Sequence, residues 1–264
     1  MTDISGRLFI STIAEDAAVL AQEYGFGLEI AEFCTAFNMD TDFETWDERV
    51  RRSMDGVERF IFHAPFNELC PAAVDPLIVD VAKRRYAQAY ALMSGYGVKA
   101  MTVHSGYFPL FYDKGWFTAK SIGFWKEFLS DKPDDFSLYI ENVYEQTPEL
   151  LSGIVGAVDD TRFRLCLDAG HAAIAWKGVP VEEWVRRTAP FLGHIHLHNN
   201  DGERDQHNEL GGGQIDIAAL IRAATDAAPD VTFTIESCEA IESVNWLKNN
   251  GFLIKKRNCT GKAG

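Results

Sequence analysis

The feature that most restricts what this chain can fold into is an alternation. Eight short runs rich in β-branched and aromatic residues recur along it: RLFIST (7–12), GLEIAEF (27–33), RFIFHA (59–64), KAMTVHS (99–105), FSLYIEN (136–142), FRLCLDA (163–169), GHIHLHN (193–199) and VTFTIES (231–237). Between them lie stretches that read as helices, including AEDAAVLAQEYG, FETWDERVRRSM, VDPLIVDVAKRRYAQAYALMSGYG, TPELLSGIVGAV and IDIAALIRAATDAA. In the last of these Ile215, Ile217, Leu220 and Ile221 share one helical face, opposite Arg222 and Asp226. Eight strand–helix units in 264 residues fit an α/β fold closed into a single (β/α)8 barrel, expected to form one domain over residues 1–264. A doubly wound open sheet is the alternative. It is disfavoured because neither GxGxxG nor GxxxxGK[ST] follows the first strand, and because the chemistry is not gathered at one switch point.

The ionisable residues fall at one end of these strands. His63 closes RFIFH, His104 closes KAMTVH, Glu141 closes FSLYIE, Asp168 closes FRLCLD, His196 lies near the end of GHIHLH, and Glu236 closes VTFTIE. In a barrel the carboxyl ends of all strands ring one mouth, so residues scattered over more than 170 positions converge there. One such residue at a strand end is ordinary, whereas six on six successive strands form a constellation. Gathering so many ionisable groups costs several kcal/mol per unpaired buried charge, which a divalent cation offsets.

Glu141, Asp168, Glu236 and His196 make a mixed oxygen and nitrogen set that suits Mn²⁺, Mg²⁺, Co²⁺ or Zn²⁺. His63, His104, His171, Asp205 and His207 raise the candidate metal ligands to nine, too many for one ion. Either several of the nine line a substrate pocket, or the site holds two or three metals. In LDAGH, His171 follows Asp168 by three residues, close enough for a turn to bring both to the mouth. In DQH, Asp205 and His207 are expected on one side of an extended segment. His194, His196 and His198 alternate onto one face: His196 is the expected ligand, His198 a residue that either faces the pocket or supports the ligands from behind, and His194 a deeper, hydrogen-bonded histidine.

Composition limits the function classes. The formal net charge is −14, which gives no electrostatic footprint for nucleic acid and weighs against DNA as substrate. No run of about 18 apolar residues occurs, and MTDISGRLFISTIAEDAA has no basic segment followed by an apolar one, so no membrane association and a cytoplasmic location are expected. The five cysteines form no CxxC pair and are expected to be reduced, mostly buried thiols.

FHAPF, TVHSG, IEN, LDAGH, HLHNNDGERDQH and IES resemble the strand-end signatures of the xylose isomerase-like TIM barrels, the superfamily of sugar isomerases and epimerases and of endonuclease IV. The resemblance runs from about Arg7 to Phe252. Its epimerase pattern implies one divalent ion on Glu141, Asp168, His196 and Glu236, with His171 touching substrate. Its endonuclease IV pattern implies a trinuclear zinc cluster on all nine residues. The sequence NVYEQTPELL after Glu141 reads like the isomerase group, and only eight residues separate His196 from Asp205, which departs from the endonuclease pattern.

The resemblance thus implies a metal-dependent isomerase or epimerase acting on a sugar or sugar-like hydroxy-ketone through a metal-stabilised enediolate, with Glu141 and Glu236 as the catalytic proton carriers. His171, His198, Phe66, Tyr107 and Trp176 are expected to contact substrate, with Phe108, Phe111 and Tyr144 as further aromatic candidates. The alternatives are a phosphodiesterase with a two- or three-zinc cluster and a non-catalytic metal- or sugar-binding barrel. Lys114, Lys177 and Arg204 are the only basic residues placed to clamp a phosphate, which favours an unphosphorylated substrate.

Overall fold

The computed structural model describes residues 2–253. Eight parallel strands close in sequence order: β1 (Leu8–Ser11), β2 (Gly27–Ile30), β3 (Phe60–His63), β4 (Ala100–His104), β5 (Ser137–Glu141), β6 (Phe163–Asp168), β7 (Leu192–Leu197) and β8 (Thr232–Ile235). Closure is made by β1 on β8, where Phe9 pairs with Thr234. All eight expected strands are present, each ending one to three residues before the end of the expected run, and β7 starting one residue earlier than expected. The run 27–33 stops at Ile30 because the next amide, that of Ala31, donates to the Thr12 hydroxyl (2.9 Å) instead of to a neighbouring strand.

The helices follow from caps as much as from apolar period. Asp75 accepts from the Leu77 amide (2.9 Å) ahead of Pro76 to start Pro76–Gly95, Asp113 accepts from Trp116 (2.8 Å) to start Lys114–Leu129, and Asp216 accepts from Ala219 (2.8 Å) to start Ile217–Ala227. Further helices at Glu149–Val158, Glu182–Thr188 and Ala240–Asn249 help complete the outer layer. Among the described residues no helix is long and apolar enough to cross a membrane.

Alternation along the strands separates two environments. Leu28, Ile30, Phe62, Val103, Ile140, Leu167, Ile195, Leu197, Phe233 and Ile235 are buried in the hydrophobic core. The other parity faces the lumen, as contacts between non-adjacent strands show: Glu29 of β2 reaches His194 and His196 of β7, and His63 of β3 reaches Glu141 of β5. Lumen positions include Ser11, Glu29, Thr102, Cys166, His194, His196 and Thr234, all buried. The barrel is therefore apolar outside and polar inside. Of the cysteines, Cys70 and Cys166 are buried, Cys34 is half-buried and Cys238 is exposed, all four as free thiols, and Cys259 lies outside the described residues.

Candidate metal centre and active site

The strand ends deliver their side chains to one cup, where the donor atoms fall into three groups, the first two sharing Glu141. In the first, His63 Nε2 and His104 Nε2 lie 3.4 and 3.5 Å from Glu141 Oε2. His63 Nδ1 donates to the Ala64 carbonyl (3.0 Å), which fixes the tautomer that leaves Nε2 facing the carboxylate. In the second, His196 Nδ1 lies 3.1 Å from Glu236 Oε2, 3.5 Å from Glu141 Oε2 and 3.7 Å from Asp168 Oδ2. In the third, His171 Nε2 and His207 Nε2 approach the same oxygen, Asp205 Oδ2, at 3.3 and 3.2 Å. Here too the opposite ring nitrogens are occupied: His171 Nδ1 donates to the Asn142 carbonyl (3.0 Å) and His207 Nδ1 to the Glu236 carbonyl (2.7 Å).

Local structure explains each placement. Asp168 ends β6 and caps the helix Ala169–Ala175, accepting from the His171 amide (2.6 Å), so the LDAGH spacing aims both side chains at the cup. The glycine in that motif is required, because a Cβ on Gly170 would fall 1.9 Å from His198 Cε1. The DQH segment differs from the extended form expected of it. His207 is left-handed (φ 47°), and Asn199 and Asn208 exchange backbone hydrogen bonds (3.1 and 2.9 Å) that fold the loop back over the mouth. That hairpin, and not strand alternation, brings Asp205 and His207 together. Asn199 holds it through its side chain, donating to Leu210 and Ile215 carbonyls and accepting from the Asn200 and Ile215 amides.

One member of the site is invisible in the strand-end pattern. Glu29, in the middle of β2, is fully buried and accepts from Thr234 Oγ1 (2.5 Å), His194 Nε2 (3.3 Å) and His196 Nε2 (3.2 Å). It orients His196 so that Nδ1 faces the three carboxylates. His194 is the deeper residue, held by Glu29 and by Thr232 and Thr234 hydroxyls (2.6 and 2.8 Å). The only sequence signal for Glu29 was a carboxylate at a lumen-parity position.

The cup is electrostatically tense. Burial alone would raise the carboxyl pKa values of Glu29, Glu141 and Asp168, yet the surrounding imidazoles hold all three well below the usual carboxylate range. Burial works against protonation of His171 and His196, but Asp168 beside the first and the carboxylates around the second raise both well above the ordinary value. His207 is pushed up to about 10 by Asp205 and Glu236 against its burial, while His104, dominated by burial, is lowered to about 4. Glu141 Oε2, His196 Nδ1 and His198 Nδ1 are buried and make no hydrogen bond. Unsatisfied acceptors and imidazole nitrogens gathered in neighbouring sets, the donor atoms of each within 4.8 Å of one another, are what divalent cations satisfy.

A cavity of about 930 Å³ opens above the cup. Glu141, Glu236, His63, His104 and the third group line it, whereas Asp168 and His196 are fully buried beneath. Of the expected substrate residues, Phe66, Tyr107 and His171 are on the wall, with Phe108, Phe111 and Tyr144. Two expectations need correction. His198 is fully buried off the wall, its Nε2 held by Asp168 (3.0 Å) and its ring stacked on His207 at 4.0 Å. Its Nδ1 makes no hydrogen bond and it belongs to a candidate metal set with His207 and Glu236, so it supports the cup from behind and is not placed to touch substrate. Trp176 packs edge-to-face on Trp184 (5.8 Å) with Arg187 over its ring, and this packing takes it away from the cavity wall. The basic candidates are also off the wall: Lys177 pairs with Glu203 (3.0 Å), Arg204 with Asp201 (3.2 Å), and Lys114 opens the helix Lys114–Leu129.

The sequence profile described as xylose isomerase-like TIM barrel matches residues 12–250. Among curated proteins, the uncharacterized protein MJ1311 of Methanocaldococcus jannaschii is 26% identical over 211 residues, covering 71% of this chain and 68% of that protein. The probable endonuclease 4 of Mycobacterium leprae is 27% identical over 154 residues, covering 53% of this chain and 59% of that one, so the match spans little more than half of either. Among solved structures, a D-tagatose 3-epimerase-like protein superposes with a TM-score of 0.75 at 21% identity, over 92% of this chain and 96% of the other, a likeness of fold.

Proposed function

Since the chain belongs to the xylose isomerase-like TIM-barrel family, we propose that it is a divalent-metal-dependent isomerase or epimerase of a sugar-like hydroxy-ketone. The observation that carries this reading is the division of labour in the cup. Glu141 and Glu236 face the cavity, while Asp168 and His196 sit beneath them with buried donor atoms aimed at the same place. These four residues would hold the ion, and their oxygen and nitrogen donors suit Mn²⁺, Zn²⁺, Mg²⁺ or Co²⁺. Bound there, the ion supplies Lewis acidity that lowers the pKa of a C–H between a carbonyl and a hydroxyl.

Glu141 at the end of β5 and Glu236 just past the end of β8 reach the cavity from strands three apart around the barrel. One carboxylate takes the proton from carbon, and the other returns a proton to the opposite face or to the neighbouring carbon. His171, fixed through Nδ1 by Asn142 and paired through Nε2 with Asp205, stands with Asp205 at the same wall to bind and orient a hydroxyl. Aromatic side chains and the Asp205 and His207 end of the hairpin line the same cavity. Solvent deuterium wash-in next to a ketose carbonyl tests this reading, which fails if no hydroxy-ketone in a broad panel exchanges.

A specific observation supports a second reading. The His171–Asp205–His207 set could hold a further ion, as a two- or three-zinc phosphodiesterase requires. Metal analysis of protein purified without added metal separates the two: about one ion per chain for the isomerase, two or three zincs for the phosphodiesterase.

A further inference from the structure

We propose that the cavity selects an uncharged, amphipathic substrate: a sugar-like hydroxy-ketone bearing an apolar or aromatic substituent in place of a phosphate. This rests on the isomerase reading above and adds the substrate class. Three observations carry it.

The first is size. At about 930 Å³ the cavity is at the upper end of the ~300–1,000 Å³ typical of pockets that enclose drug-sized ligands, more room than a bare monosaccharide fills. The second is the chemistry of one sector of the wall, formed by the loops after β3, β4 and β5. Phe66 lies flat against His104 (4.1 Å, 12°), which anchors an aromatic floor beside the ligand cup. Farther out Phe108 pairs with Tyr144 (5.1 Å) and Phe111 with Tyr112 (4.9 Å). Phe108, Phe111 and Tyr144 are 54%, 77% and 49% exposed, so they keep apolar surface that a ligand can take out of water.

The third is charge. Among the described residues that line the cavity there is no Lys or Arg, and Glu68, Glu141, Asp205 and Glu236 contribute carboxylates. A phosphate on the substrate would be desolvated against this wall with no Lys or Arg to meet it, the His171 and His207 imidazoles being already paired with Asp205. A neutral sugar ring can instead chelate at the cup through its oxygens while a substituent stacks on the aromatic sector.

The test measures binding apart from turnover, by titration calorimetry on the protein with its metal bound. Phenyl β-D-glucopyranoside, methyl β-D-glucopyranoside and D-glucose 6-phosphate are the probes. The phenyl glycoside is expected to bind about tenfold tighter or more than the methyl glycoside, the scale of burying and stacking one aromatic ring. Phe108→Ala and Phe111→Ala should together bring the phenyl affinity down towards the methyl value. A phenyl glycoside no tighter than the methyl one overturns the proposal, and so does a 6-phosphate that binds tightest. Deuterium exchange on D-fructose keeps the two readings apart. Exchange without a phenyl advantage removes the substrate class and leaves the reaction; a phenyl advantage with no exchange from any hydroxy-ketone removes the reaction and leaves an amphipathic ligand site.

Discussion

Glu29→Gln separates a positioning role from a bracing one. The Glu29 carboxylate receives three donors, from Thr234, His194 and His196, all fully buried. An amide at this place keeps one oxygen to accept and turns an NH₂ towards groups that are themselves donors. At least one charge-assisted hydrogen bond is lost, worth about 1.5–3 kcal/mol. For a chain of this size that corresponds to a fall in Tm of about 3–12 °C for the metal-free protein. The second consequence concerns His196. Without the carboxylate at Nε2, the ring loses what fixes Nδ1 on the cup, and loss of such an outer partner lowers metal affinity by about 10–100-fold, or ~1.4–2.7 kcal/mol. Competition against a fluorescent chelator at fixed pH reads the affinity, and a melt of the stripped protein reads the stability. A variant that melts early but binds metal as tightly as the parent would refute the orienting role and leave Glu29 as a brace.

Three further predictions follow from the same geometry. Glu141→Gln and Glu236→Gln should each lower deuterium wash-in by about 10²–10⁴-fold, and only Glu141→Gln should disturb the His63 and His104 donors, visible in metal stoichiometry. Gly170→Ala places a Cβ 1.9 Å from His198 Cε1 and should cost at least about 1–3 kcal/mol, displacing the ring that His207 stacks on; an unchanged melt would show that the loop yields without cost. The His207 pKa is raised, to about 10 against an ordinary value near 6.5. Its proton therefore stabilises the metal-free fold fully below about pH 6.5, and that contribution is lost as pH rises through about 10. The stability gap between the stripped parent and His207→Asn should shrink over this window, and metal uptake at neutral pH should release protons that calorimetry in buffers of different ionisation enthalpy counts.

Much of this was legible because a parallel barrel turns strand order into position. Each strand's last residues point to one mouth, so His63, His104, Glu141, Asp168 and Glu236 announce themselves without knowledge of any contact. Glu29 escaped because it sits mid-strand in GLEIAEF, and its partners on β7 and β8 follow more than 160 residues later. Only closure of β1 on β8 brings β2 within reach of them. Trp176 and His198 misled for a related reason: proximity in sequence to LDAGH and HLHNN does not fix which way a ring turns. Trp184 draws one into the helix layer, and Asp168 with His207 holds the other beneath the cup.

The ligand residues alone do not choose between the two chemistries, since Glu141 touches both the His63–His104 pair and the His196 group, and Asp205 gathers a third. What surrounds them discriminates better. A phosphodiester approaching this cup would meet aromatic rings and carboxylates, and beyond the Asp205-paired imidazoles of His171 and His207 the counter-charge on the wall would come from bound ions. A neutral hydroxy-ketone needs no such counter-charge. It needs two cavity-facing carboxylates near one acidified carbon and an apolar surface to hold the rest of the molecule, and the mouth of this barrel supplies both.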